Sequence, residues 1–110
     1  MPDLLPWYQT VFRRMVIDMH IPDWNPLFLE KFDPHYFVAM LKLAHAQSIV
    51  LYAHSHTGLF NYPSQVGQIH RNLQGRDIFD EVIRLCHDNQ ILVVAYCSLI
   101  FDRWAYEHNP

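Results

Sequence analysis

Three short apolar runs, evenly interleaved with two amphipathic segments, constrain this chain more than any other feature. Met15–Met19 (MVIDM), residues 48–53 (SIVLYA) and residues 91–96 (ILVVAY) are rich in β-branched side chains and nearly continuous in apolar character. Strands covered by helices on both faces read this way, because neither face has to meet water. Between the first two runs, Asp33 is a good N-cap and Pro34 suits the first helical position. Phe37, Leu41 and Ala44 then recur at helical spacing, which predicts a helix over 34–45. Asp77 caps a second predicted helix over 77–88, where Ile78, Val82 and Leu85 repeat that spacing. The fold class that follows is α/β, a β-α-β-α-β segment with parallel strands and right-handed crossovers.

The connections are unequal. Those from helix to strand are tiny, around His45-Ala46-Gln47 and Asn89-Gln90, and neither contains glycine. His45 or Ala46, and Asn89 or Gln90, must therefore take the left-handed conformation that ends each helix. Those from strand to helix are long, residues 21–32 and 54–76. In parallel α/β proteins the loops beyond the carboxyl ends of strands build the site. Length and polarity are invested on that one face.

The residues there are of a consistent kind. Asp18, His20, Asp23 and Trp24 follow the first run, and His54, Ser55, His56 and Thr57 follow the second. Cys97, Ser98, Asp102 and Trp104 follow the third. Imidazoles, hydroxyls and carboxylates mixed with indoles suit a carbohydrate, whose hydroxyls take hydrogen bonds while its C–H face lies on a ring. The candidate ligand-binding set is His20, Trp24, His54, His56, Tyr96, Ser98, Asp102 and Trp104. His54 and His56, two apart on a strand, are expected to face the same way. With His20 they offer an alternative reading, a metal-dependent hydrolase. The leading reading needs no metal or other cofactor. His35, His45, His70, His87 and His108 read as surface residues, and Cys86 and Cys97 as small core residues of a reduced compartment.

Composition narrows the classes. Half the 110 residues are apolar (51%), enough for a core, and the net charge of −3 with scattered signs excludes the basic footprint of a nucleic-acid binder. No apolar run approaches the ~20 residues of a membrane span, and MPDLLPWYQTVFRR lacks the pattern of a secretory signal. A cytoplasmic protein without a membrane partner is expected.

The segments VIDMHIPDW, residues 32–64 and residues 77–104 resemble the opening strands of α-L-fucosidase-like glycoside hydrolase barrels, and of the bacterial hypothetical glycosyl hydrolases, group six. The resemblance implies the N-terminal part of a TIM (β/α)8 barrel and retaining hydrolysis of glycosides. It sets Ser55, His56, Thr57, Gly58 and Leu59 against a His-His-Asp-Gly-Phe segment that binds sugar hydroxyls; His56 and Gly58 match. His20 resembles a sugar-contacting strand-one histidine, with the tryptophan that would follow it displaced to Trp24. Tyr96, Ser98, Asp102 and Trp104 resemble a Tyr-Ser…Asp-x-Trp run. The resemblance also implies that the catalytic nucleophile and acid/base stand beyond Pro110. Residues 1–110 are then expected to form a single incomplete barrel domain, a truncated piece inactive alone and self-associating through open sheet edges. A non-catalytic truncated barrel or glycan-binding module is the remaining alternative.

Overall fold

A computed structural model describes residues 6–109. The first residues of the N-terminal stretch read for a signal, and Pro110 at the end of the expected domain, lie outside them. In chain order the elements are α1 (Trp7–Thr10), β1 (Arg14–Val16), α2 (Pro34–Leu43), β2 (Ser48–His54), β3 (Leu59–Phe60), β4 (Gln68–Ile69), a 3-10 turn (Arg71–Leu73), α3 (Ile78–Asp88), β5 (Leu92–Cys97) and α4 (Arg103–His108).

The expected β-α-β-α-β parallel segment is present. β2 lies at the centre, parallel to β1 from Arg14↔Ser48 to Val16↔Val50 and parallel to β5 from Ser48↔Leu92 to Tyr52↔Tyr96. The first strand is shorter than its predicted 15–19, for a local reason. Asp18 Oδ1 accepts the backbone N–H of His20 at 3.1 Å, and this turn takes the chain out of the sheet. The helices start where their caps predict. Asp33 accepts from the His35 N–H at 2.9 Å ahead of Pro34, and Asp77 from the Asp80 N–H at 2.9 Å. The left-handed turn residues are His45 (φ 57°) and Gln90 (φ 60°). The 54–76 connection, read as one long loop, contains β3, antiparallel to β2 at His54↔Phe60, and β4, parallel to β3.

The helix faces are rotated from those expected. α2 buries Pro34, Val38 and Leu41, while Phe37 is half-buried and Ala44, beyond the helix end at Leu43, is exposed. α3 buries Ile78, Val82 and Cys86, with Leu85 half-buried. These side chains close over Ile49 and Leu51 of β2 to form the core. Cys86 is fully buried, and burial pushes its thiol up to about 11. Cys97, expected in the core, is exposed instead.

Of the three strands expected to be buried on both faces, none has both faces covered by helices among the described residues, and β2, flanked on either side, is the most buried. Register sets Val16, Val50 and Val94 side by side on the face away from α2 and α3, and Val16 is 67% exposed. Among the described residues no element covers that face. Nor is any helix of the described residues long and apolar enough to cross a membrane.

Candidate functional site

The side chains beyond the carboxyl ends of β1, β2 and β5 form two clusters and a flanking cleft. The first cluster is aromatic. His20 stacks on His56 with ring centroids 4.0 Å apart and planes at 16°. It meets Tyr52 edge-on at 4.8 Å and Tyr96 at 6.2 Å. Tyr52 and Tyr96, register partners across β2 and β5, are themselves stacked at 4.2 Å. Burial, then the nearby Asp18 charge and Tyr96, raise the Tyr52 phenol above its ordinary 10.0, so it remains a neutral hydroxyl. Nδ1 of His20 is buried and has no hydrogen-bond partner, and Nε2 stands 3.8 Å from Asp18 Oδ1. A buried ring nitrogen left so is an exception among buried polar groups.

The second cluster centres on His54, which is only 4% exposed. Its Nε2 lies 3.2 Å from Asp102 Oδ2, its Nδ1 lies 3.7 Å from Cys97 Sγ, and Phe60 covers its ring at 4.5 Å. His54 and His56 therefore do not face the same way. The β2–β5 register shifts between Tyr52 and His54, the strand ends at His54, and the chain turns at once through Ser55–Gly58, where the Gly58 N–H donates to the Ser55 carbonyl at 3.0 Å. The divergence separates the three imidazoles of the metal reading. Among the described residues no three His, Cys, Asp or Glu side chains converge as metal ligands.

Asp102 does two things. Oδ1 accepts the Ala105 N–H at 2.8 Å and caps α4, while Oδ2 faces His54. The segment is laid against the β2 turn by backbone bonds from Ser98 N–H to His54 O (3.1 Å), Arg103 N–H to His56 O (2.9 Å) and Trp104 N–H to Thr57 O (3.2 Å). Gly58 makes this approach possible. At φ +83°, a Cβ there would collide with Asp102 Oδ1 and stand 2.6 Å from Trp104 Cβ.

Trp24 and Trp104 line a separate cleft of about 200 Å³ with Pro22, Thr57 and Leu59. Trp24 is 69% exposed and meets Phe28 edge-on, and Trp104 stacks on His108. Ser98 takes no part in either cluster. Its hydroxyl donates to the Phe101 carbonyl at 2.6 Å and closes the turn after β5. The predicted residues thus fall into His20, His56 and Tyr96; His54 and Asp102; and Trp24 with Trp104. Tyr52, absent from the candidate set, and Cys97, placed at the mouth but read as a core residue, join these clusters, Tyr52 standing at the i−2 position of His54.

His70, expected on the surface, is 1% exposed and joins the loop after β2 to the loop after β1. Its Nδ1 accepts the Asn72 N–H at 3.1 Å, which leaves Nε2–H to donate to the Pro22 carbonyl at 3.1 Å. Beside it, Arg71 Nε reaches Asp23 Oδ2 at 3.3 Å. Burial pushes the Asp23 carboxyl up, but the hydrogen bonds and charge of Arg71 outweigh it and hold the group below 3.8. Burial lowers the His70 imidazole below 6.5, against the opposing pull of Asp23 and the Pro22 and Ile21 carbonyls.

The profile of the family described as Hypothetical glycosyl hydrolase 6 matches residues 33–110. Among solved structures, the chain is similar to α-L-fucosidase isoenzyme 2 from Paenibacillus thiaminolyticus, with 30% identity and a TM-score of 0.73 over 88% of this chain. It is also similar to a GH29 α-L-fucosidase from Bacteroides thetaiotaomicron trapped as a covalent intermediate, with 26% identity and a TM-score of 0.59 over 71% of this chain. A bacterial fucosidase bound to a monovalent iminocyclitol inhibitor gives the same values. The chain spans 15% of the first of these proteins and 18% of the other two. No curated protein matches it.

Proposed function

From a chain that belongs to the family Hypothetical glycosyl hydrolase 6, and whose parallel β/α segment is similar to the N-terminal region of fucosidase barrels, we propose part of a glycoside hydrolase whose own contribution is to hold the sugar. The observation that carries this reading is the buried, unpartnered Nδ1 of His20 within the ring cluster at the strand mouth. On this reading the His20 ring turns to offer Nδ1 to a sugar hydroxyl, and the Tyr52 and Tyr96 hydroxyls and His56 offer further bonds. Trp24 and Trp104 form an outer apolar wall for the next part of the ligand.

The three carboxylates at this mouth are already engaged. Asp18 holds the His20 N–H, Asp23 is paired with Arg71, and Asp102 caps α4 and faces His54. Retaining hydrolysis needs two carboxyl groups about 5–5.5 Å apart across the glycosidic bond. On this reading the nucleophile and acid/base are other carboxylates of the barrel, and those of this chain hold and position. A cytoplasmic setting, suggested by two unpaired cysteines, is part of the same reading.

The test is calorimetric titration of the chain with L-fucose and a panel of other pyranoses, beside release of nitrophenol from 4-nitrophenyl α-L-fucoside. The expected outcome is millimolar binding of at least one sugar, weakened about tenfold in His20→Ala, one lost hydrogen bond to a buried group being worth ~1–2 kcal/mol, with no nitrophenol release. Failure of every sugar to bind, or binding indifferent to His20→Ala, overturns it.

A further inference from the structure

The chain has two cysteines in opposite circumstances, and one of them is aligned with an imidazole and a carboxylate. Cys97 Sγ, His54 Nδ1 and His54 Nε2 with Asp102 Oδ2 run in series at 3.7 and 3.2 Å. An ionised carboxylate only accepts hydrogen bonds, so Asp102 fixes the proton of neutral His54 on Nε2. The lone pair on Nδ1 then points at the thiol, which donates to it. Nucleophile, base and orienting group are thereby in mutual hydrogen-bond reach. The arrangement is rigid: His54 is 4% exposed, Phe60 packs on its ring, and Asp102 is pinned by its cap bond to Ala105. Cys97 itself is exposed.

We propose that Cys97 is a reactive thiol, activated by His54 and Asp102, and a site of oxidation by hydroperoxides. The step balances within the cluster. The sulfur attacks the near peroxide oxygen, an S–O bond forms and the O–O bond breaks. The thiol proton passes to His54 Nδ1 and from there to the departing oxygen, which leaves as water or an alcohol. The sulfur is oxidised by two electrons to the sulfenic acid and the peroxide is reduced by two. His54 acts as base and then acid, and Asp102 is a positioning residue that sets the tautomer. None of this depends on sugar binding.

Cys86 is the built-in control, being fully buried with its thiol raised to about 11. Treating the chain with hydrogen peroxide in the presence of dimedone, with peptide mass spectrometry, reads both sulfurs at once. The expected result is a dimedone adduct on Cys97 and none on Cys86. The Cys97 rate should exceed by roughly a hundredfold or more its rate in the same chain unfolded in urea, the low end of what positioned proton transfer contributes. Asp102→Asn keeps a good cap for α4 but presents an amide N–H to Nε2, which moves the imidazole proton to Nδ1 and should abolish the acceleration. His54→Gln should do the same. Protection of Cys86 in each variant reports that it remains folded; should either variant expose Cys86, the ratio of folded to unfolded rates in the parent chain decides. Equal folded and unfolded Cys97 rates overturn the proposal, as do folded variants that react as fast as the parent.

Discussion

At the scale of single residues, the histidines divide by what each ring nitrogen touches. His70 is the clearest case, because protonating Nδ1 would aim a proton at the Asn72 N–H that it now accepts. Burial holds its pKa below the 6.5 of an unfolded histidine. As pH falls below that value, the unfolded chain binds a proton that the folded chain refuses. Stability is therefore lost until the lower folded value is passed. Asp23 does not confuse this window, since its stabilisation is complete above 3.8 and fades only as pH falls through its still lower folded value. The urea midpoint of the parent chain should drop between about pH 7.5 and 5.5 more steeply than that of His70→Gln, measured by circular dichroism; parallel slopes would refute this account. The sequence could not single out His70 among eight histidines, because its burial depends on Pro22, 48 residues away. The positions of His20 beyond the first strand and of His54 at the end of the second were legible from local pattern. The direction of His54 was not, since a register shift between strands leaves no trace in one strand's alternation.

At the scale of elements, capping and periodicity located both main helices to within two residues, because Asp33-Pro34 and Asp77 act locally. The buried faces were less legible. Val38 and Cys86 displace Ala44 and Leu85 from the core because the packing of α2 on α3, and of α3 on β2, not spacing alone, selects the face. The helix-to-strand turns follow from the absence of glycine. Gln90 and His45 are held at positive φ, where an L residue costs roughly 1–2 kcal/mol relative to its ordinary conformation. Glycine removes that cost and returns part of it through its freer unfolded chain. Gln90→Gly should therefore stabilise the chain by about 0.5–1 kcal/mol in urea titration and leave the site untouched, as the turn lies at the opposite end of β5 from Cys97. A destabilised Gln90→Gly variant would mean that the Gln90 side chain makes a compensating contact.

At the scale of the whole molecule, one sheet face is covered and the other is not. Val16 and Val94 are 67% and 37% exposed, and Leu99, Ile100 and Phe101 beyond β5 are more exposed still. β1 and β5 present edges beside that face. The chain by itself is expected to associate with rising concentration in sedimentation experiments, and Val16→Lys with Val94→Lys should shift it towards the monomer. A monodisperse monomer at all concentrations would contradict this. The parallel β/α order was legible in the strand composition and helix periodicity, and the barrel in the resemblance to fucosidase-like hydrolases. The bare face was not, because the sequence of a strand records what a complete fold would cover.

β2 is flanked on both sides, whereas β1 is a three-residue edge held by β2 alone. The two jaws of the mouth therefore differ in persistence. His54, the last residue of the central strand, opens only when that strand does. The arm bearing His20 hangs from a strand free to fray, its loop moored at a distance by His70 and Arg71. On the proposed sugar-holding reading, the two sides of the mouth are unequal: one is built on the central strand and the other on a loop tied down by His70 and Arg71.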